Sequence, residues 1–374
     1  MIRPKYFVES LAKAGIDFFA GVPDSLLKNI CAYLTDNSPK AKNIITANEG
    51  AAVGLAAGHY LASGQIPVVY MQNSGLGNTV NPLMSLTDEE VYNIPVLLLV
   101  GWRGEPGKHD EPQHVKQGKV TIPLLDAMGI KNVVMATEEE ALEKQLCEGI
   151  VYMKETKRAF AFVIQKGTFD DYKLQNVASS SLSMSREEAI QLVAGCIEKE
   201  AVIVSTTGMI SRELFEYRAN HGMGHDRDFL TVGSMGHASQ IALGIALEQP
   251  ERPVYCFDGD GATIMHMGSL GIVGDMQPKH YTHVVFNNGA HDSVGGQPTI
   301  GLRIDLPAIA TACGYQSVVS VDNAEDLKKT LTNKEGGSPR LIEVKVKKGA
   351  RKNLGRPTTT PIQNKEALMA FLKQ

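Results

Sequence analysis

Apolar residues in this chain come in short, nearly unbroken runs separated by stretches of helical spacing. That is the pattern of strands covered on both faces rather than of strands with one wet side. The runs fall at 17–20, 43–46, 66–71, 95–100, 131–135 and 160–164, and again at 202–205, 229–232, 254–257, 283–286, 317–321 and 341–346. Enough chain for a crossover helix lies between most of them, so the expected fold class is α/β with two open parallel-sheet domains. Midway the pattern lapses. Residues 166–185 are polar, with Asp170-Asp171 and Ser179-Ser180-Ser181, and helical spacing resumes only at Arg186. The expected division is a first domain at 1–168, a linker at 169–185 and a second domain at 186–374. A faint echo links the halves: Pro67 and Pro253 stand 186 residues apart, and each opens a run followed by a glycine, Gly75 or Gly261, at the same spacing.

Composition narrows the classes of function. A chain of 374 residues with 43% hydrophobic and 21% charged residues has ordinary globular usage. The net charge of −4 and a single short basic stretch at 346–352 argue against nucleic acid as a partner. The start, Met1-Ile-Arg-Pro-Lys5, lacks an apolar signal core, and the apolar runs have strand rather than membrane length. A soluble, cytoplasmic protein with no membrane partner is expected. The five cysteines stand apart, without ligand spacing, and read as reduced core residues.

Two motifs carry chemistry. Asp258-Gly259-Asp260-Gly261 follows one strand-like run, and Asn287-Asn288 follows the next; twenty-five residues, Ala262 to Phe286, separate them. Each alone is ordinary turn chemistry. Together, at the ends of successive strands joined by a crossover, Asp260 offers a carboxylate and Asn288 an amide oxygen to one hard cation, with diphosphate oxygens completing its shell. A dinucleotide fingerprint fails because Ile264 stands where a third glycine would be needed, and no phosphate loop of the Gly-Lys-Ser/Thr type occurs. In the first half, Asn48-Glu49-Gly50 opens an Ala/Gly-rich helix, where Glu49 is either a carboxylate favoured by the helix dipole or a working acid.

Paired in this way, the motifs match the diphosphate-anchoring signature of thiamine-diphosphate enzymes, and with Glu49 the chain resembles the thiamine-diphosphate-dependent decarboxylases across both halves. The resemblance implies an aminopyrimidine-binding domain followed by a diphosphate-binding domain, without the middle domain that many members carry. It implies thiamine diphosphate and Mg2+ as cofactors. Glu49 would hydrogen-bond N1′ of the aminopyrimidine, favouring the imino form that takes the C2 proton. Thr231 to Ala238 would supply the ring support, with Met235 wedged between the two rings and Gly233 and Gly236 beside it. Asp260, Gly261, Ala262 and Asn288 would meet the diphosphate; Asp260, Asn288 and the carbonyl of Ala290 would hold the metal. An acid that larger members carry farther along that loop has no counterpart, since Val294 stands near its place. A homodimer or higher homo-oligomer, with sites built from both chains, is implied too.

Loop segments refine the expectation. Gly21 to Leu27, Gln72 to Thr79, Arg103 to Gly107, Asp110 to His114 and Asn288 to Thr299 resemble the phosphonopyruvate decarboxylase branch of that family, with the sulfopyruvate branch close to it. The reaction implied is 3-phosphonopyruvate to 2-phosphonoacetaldehyde and CO2, so the expected partner is a small anionic 2-oxo acid. Ser25, Asn73, Arg103, His114 and Gln117 are the candidate substrate contacts, since hydroxyls, cations and helix starts suit a phosphonate. The long segment 101–118 would fold over the site. Two alternatives stay open: another 2-oxo acid decarboxylase, sulfopyruvate foremost, and a protein that binds the cofactor without turnover, for which Glu49 would be superfluous.

Overall fold

The computed structural model describes residues 1–176, 181–333 and 336–374. The chain divides into two compact units, Met1–Val177 and Ala178–Gln374. The division falls inside the stretch expected to be a linker, of which residues 177–180, including Ser179 and Ser180, lie outside the described residues. The part of that stretch before 177 packs on the first unit. Phe169 is buried against Phe7 and pairs as a bridge with Ile2, and Asp36 accepts from the Tyr172 hydroxyl at 3.1 Å.

The first unit holds one sheet of strands β1 (Phe19–Gly21), β2 (Asn43–Ile45), β3 (Val68–Gln72), β4 (Leu97–Gly101), β5 (Lys131–Val134) and β6 (Phe160–Ile164). They lie in the order β2-β1-β3-β4-β6-β5, every pairing parallel. β3, β4 and β6 are the unbroken apolar runs, and alternate side chains feed two separate cores. Val68, Tyr70, Leu97 and Leu99 go to one face, while Val69, Met71, Leu98 and Val100 go to the other. Helices cover both faces, as an all-parallel sheet requires.

The second unit holds β7 (Val202–Ser205), β8 (Asp228–Leu230), β9 (Val254–Gly259), β10 (Tyr281–Asn287), β13 (Ser317–Val321) and β14 (Arg340–Lys345), all parallel. A small antiparallel pair, β11 (Ala290–His291) and β12 (Gln297–Pro298), sits in the loop after β10. The main order, β8-β7-β9-β10-β14-β13, repeats that of the first sheet strand for strand. The two spaced prolines immediately precede β3 and β9, which occupy the same place in the two sheets. The echo between the halves is therefore an identity of topology.

In each order the chain leaves the first strand of the unit for an edge and returns to its other side. That reversal opens a crevice beyond the strand ends, the place where open α/β sheets bind ligands. In the first unit the loops there follow β1, β3 and β4. In the second they follow β7, β9 and β10.

Candidate functional site

Glu49 begins the helix Glu49–Ser63, capped by Asn48, whose Oδ1 accepts the Ala51 N–H at 2.9 Å. The acid is 5% exposed, and its Oε2 accepts from Asn78 Nδ2 at 2.8 Å. Its carboxylate lies over Gly75, where a Cβ would come within 2.6 Å of the Glu49 Cγ and carboxyl carbon. The turn after β3 thus needs a glycine because the acid occupies the side-chain space. A Cβ on Gly50 would likewise lie 2.8 Å from the Asn78 carbonyl oxygen. Along the helix, Ala52, Val53, Ala56 and Ala57 are buried, whereas Gly54, Leu55 and Gly58 are exposed.

The candidate substrate residues converge at the ends of β1, β3 and β4. Arg103 donates from Nη1 to Ser25 Oγ at 2.8 Å and from Nε to Asp110 Oδ2 at 2.8 Å. Burial works against the Asp110 carboxylate, but Arg103 and the backbone N–H groups of Glu111 and Gly104 outweigh it and hold its carboxyl well below the ordinary range. Asn73 turns inward: its Nδ2 donates to the Arg103 carbonyl at 2.7 Å and to Thr121 Oγ1 at 2.9 Å, and its Oδ1 accepts the Arg103 N–H. Asn73 therefore anchors the Arg103 backbone. Ser25 caps no helix. The Asp24 carboxylate takes the Leu26 N–H and a bond from Gln72 Nε2 at 2.7 Å, and the helix itself starts at Lys28.

The segment expected to fold over the site is shorter than 101–118, because the helix Pro112–Ala127 begins within it at a proline suited to the first turn. His114 and Gln117 lie on that helix, with His114 Nδ1 3.4 Å from Gln117 Oε1. Burial, and after it the Arg103 charge, lowers the His114 pKa, which keeps the imidazole neutral at physiological pH.

In the second unit the two motifs meet. Asp260 starts a helical turn directly after β9 and is 3% exposed. Its carboxylate takes a bond from the Thr299 hydroxyl and another from the backbone N–H of Asn288. No cationic side chain pairs with it among the described residues, and burial pushes its carboxyl up to about 6 despite those bonds. A buried acid with oxygen donors around it and no counter-ion suits a hard divalent cation, which would supply the missing charge. Asn288 is also buried, with Oδ1 accepting the Ala290 N–H at 3.0 Å, and Ala290 lies in β11. Asp258 does other work. It forms a buried group with Cys256 and His283, and its carboxylate stands 3.5 Å from His283 Nε2.

The ring-support segment after β8 has the backbone of a shaped turn: φ is +72° at Gly233, +49° at Ser234 and +85° at Gly236. Gly233 donates its N–H to Thr207 Oγ1 at 3.0 Å. Gly236 fits against His266 and the Ala262 carbonyl, and a Cβ on Gly261 would lie 3.5 Å from the Met235 methyl. Met235, Gly236, Gly261 and Ala262 are thus neighbours. His291 is not among the expected residues, yet its ring packs 3.1 Å from that same Gly261 Cβ position, and burial lowers its pKa to about 4. A lone histidine in a glycine-rich loop gives no sequence signal for such a place.

Two parallel sheets with a buried helix-start acid in one and a cation-suited strand-end pair in the other define a cofactor-binding α/β protein of the thiamine type. The model of the thiamine pyrophosphate enzyme N-terminal TPP binding domain matches residues 4–130, and that of the C-terminal TPP binding domain matches residues 206–344. The chain belongs to the thiamine pyrophosphate enzyme family. It is 34% identical to phosphonopyruvate decarboxylase of Streptomyces viridochromogenes, over 100% of this chain and 95% of that protein. It is also 34% identical to the phosphonopyruvate decarboxylase of Streptomyces hygroscopicus, over 96% and 92% of the two chains. Sulfopyruvate decarboxylase of Methanosarcina acetivorans is 30% identical, over 85% of this chain and 84% of that one. No helix among the described residues is long and apolar enough to cross a membrane.

Proposed function

We propose that the protein decarboxylates 3-phosphonopyruvate to 2-phosphonoacetaldehyde and CO2, with thiamine diphosphate held through Mg2+. The observation that carries this reading is similarity along the whole length of the chain to two phosphonopyruvate decarboxylases. Thiamine diphosphate, when bound, supplies the electron sink for breaking the bond to the carboxylate. Asp260, Asn288 and the Ala290 carbonyl would hold the cation, and Gly261 and Ala262 would take the diphosphate. Gly233, Met235 and Gly236 support the rings. Glu49, steadied by Asn78, would face the pyrimidine ring of the bound cofactor and would hold or release a proton at its carboxylate oxygen.

For the substrate, Ser25 and Arg103 present a hydroxyl and a guanidinium at neighbouring strand ends, fitted to a phosphonate. The neutral His114 and Gln117 stand on the helix beyond, while Asn73 keeps Arg103 in place. The active form is at least a homodimer with sites built from both chains; the exposed helix face of Gly54 and Gly58 beside the apolar Leu55 supports a close-packed second copy. Sulfopyruvate is the second reading, favoured by the sulfopyruvate decarboxylase relative. CO2 release from phosphonopyruvate, sulfopyruvate and pyruvate, with and without thiamine diphosphate and Mg2+, tests the proposal. Cofactor-dependent turnover fastest with phosphonopyruvate is expected. Preference for sulfopyruvate would move the substrate, and no turnover would leave a cofactor-binding protein.

A further inference from the structure

An amide presents an oxygen to a cation only when its NH2 end is turned away, so a metal-binding asparagine needs something that distinguishes its two ends. Asn288 has such a device. Its Nδ2 donates to Asp292 Oδ2 at 2.7 Å, while its Oδ1 takes the Ala290 N–H and keeps a second lone pair free. A flipped amide would set its oxygen against the Asp292 carboxylate and its NH2 against the Ala290 N–H, two repulsive contacts in place of two bonds.

Asp292 is itself held. Arg186 Nη1 donates to the same oxygen at 3.1 Å and the Gly349 N–H does so at 2.9 Å. Arg186, 4% exposed, is locked in turn by a bidentate pair with Glu213 at 2.8 and 2.9 Å. Arg186 opens its helix behind the Ser185 cap, and Ser185 bridges Lys347, which brings Gly349 close. Two distant stretches of chain thus converge on one carboxylate oxygen whose remaining partner is the Asn288 amide. The neighbouring Asn287 is fixed in the same sense, with Nδ2 on Glu343 Oε1 at 2.7 Å and Oδ1 on the Gly289 N–H.

We infer that Asp292, locked by Arg186, is the positioning residue that turns the Asn288 amide so that its oxygen faces the divalent cation. This rests on the reading of Asn288 as a metal ligand. Groups of this kind, one bond removed from the metal, typically change affinity about 10- to 100-fold when lost.

The test uses the full chain with thiamine diphosphate and Mn2+ as the probe, with bound ion measured from loss of the free-ion paramagnetic resonance signal. Asp292→Ala should weaken Mn2+ binding about 10- to 100-fold when residue 288 is asparagine. In an Asn288→Asp background the same change should cost far less, because a carboxylate has no wrong end. A merely structural Asp292 would cost the same in both backgrounds, and that result overturns the inference, as does unchanged affinity in the first. Asp292→Asn, which keeps the volume, gives the same comparison if the alanine variant does not fold. Asn288→Ala is the control: unchanged Mn2+ affinity there removes the ligand reading itself.

Discussion

The two units share one strand order but treat charge at their strand ends in opposite ways. In the first unit the charge after β4 is closed by its own loop, where Arg103 answers Asp110, and Asp24 is satisfied by the Leu26 N–H and Gln72. In the second, Asp260 is left buried with neutral donors only, while the full charges around it, Arg186, Glu213 and Asp292, serve each other. The frame is common, and what differs is whether the loop chemistry is complete without a ligand. The Arg103 and Asp110 pair is complete without a ligand, whereas Asp260 has no charged partner among the described residues.

The sharpest way to break the contrast is through Glu49, a buried acid of the first unit held by the neutral Asn78 amide. Glu49→Gln keeps the volume and the Asn78 contact, so thiamine diphosphate should still bind. Turnover should fall about 100- to 10,000-fold, the usual worth of positioned proton transfer. Exchange of the cofactor C2 proton for deuterium, followed by nuclear magnetic resonance, checks the role, and a wild-type exchange rate in the variant would sink it.

Asp260 tests the other side. Asp260→Asn should weaken Mg2+ binding on the order of 100-fold, the upper end of what even indirect metal partners cost. In the wild type, Mg2+ affinity should drop about tenfold per pH unit below about 6, because a proton then occupies the ligand. Stability of the cofactor-free protein should run the opposite way. A folded pKa of about 6, above the ordinary 3.8, means the native state binds more protons between those values, so stability falls as pH rises through that window. Above pH 6 the asparagine variant should therefore be the more stable apo protein, by at most about 3 kcal/mol, with the difference gone below about pH 4. Denaturant unfolding at several pH values reads this directly, and an apo variant no more stable at neutral pH would show Asp260 compensated in some other way.

Arg103→Ala should be milder, raising KM for phosphonopyruvate about tenfold with little change in kcat, since one charge-assisted contact is lost from binding. Lys108, exposed and paired at 2.7 Å with Glu105, should change KM less than about twofold when replaced by alanine. Equal effects of the two would put phosphonate selection elsewhere.

Strands are readable because parallel strands buried on both faces must be largely apolar; Phe160–Ile164 ends where its hydrophobic run ends, and Val202–Ser205 one residue past its own. Glu49, Asp260 and Asn288 stand out as candidates because each lies immediately after a strand or at the start of a helix, where backbone and chemistry leave a local mark. Asp292 leaves none. Its meaning lies in Arg186, 106 residues away, and in a backbone N–H of Gly349, pairings set by tertiary structure alone. The β11 and β12 pair is two residues a side, too short for a period to show. Asn73 is by sequence a candidate substrate contact yet spends its amide on the Arg103 backbone, 30 residues away, a pairing that only the tertiary structure sets.

The smallest effect sharpens the comparison where the units look most alike. Each carries an Ala/Gly-rich helix after its second strand, and Gly54 and Gly58 in one, like Gly244 in the other, have no atom within 4 Å of the place an alanine methyl would take. In an isolated unit such glycines only weaken the helix, and alanine should stabilise by about 0.5–1 kcal/mol each. If the Gly54 and Gly58 face instead packs against a second copy, added methyls would hold the helices apart, so Gly54→Ala/Gly58→Ala should lower Tm and make it more dependent on protein concentration. Thermal unfolding across a hundredfold range of concentration, read beside Gly244→Ala, separates the cases. A concentration-independent rise in Tm for the double variant would mean that this face stays in water and would remove it as the seat of a second copy.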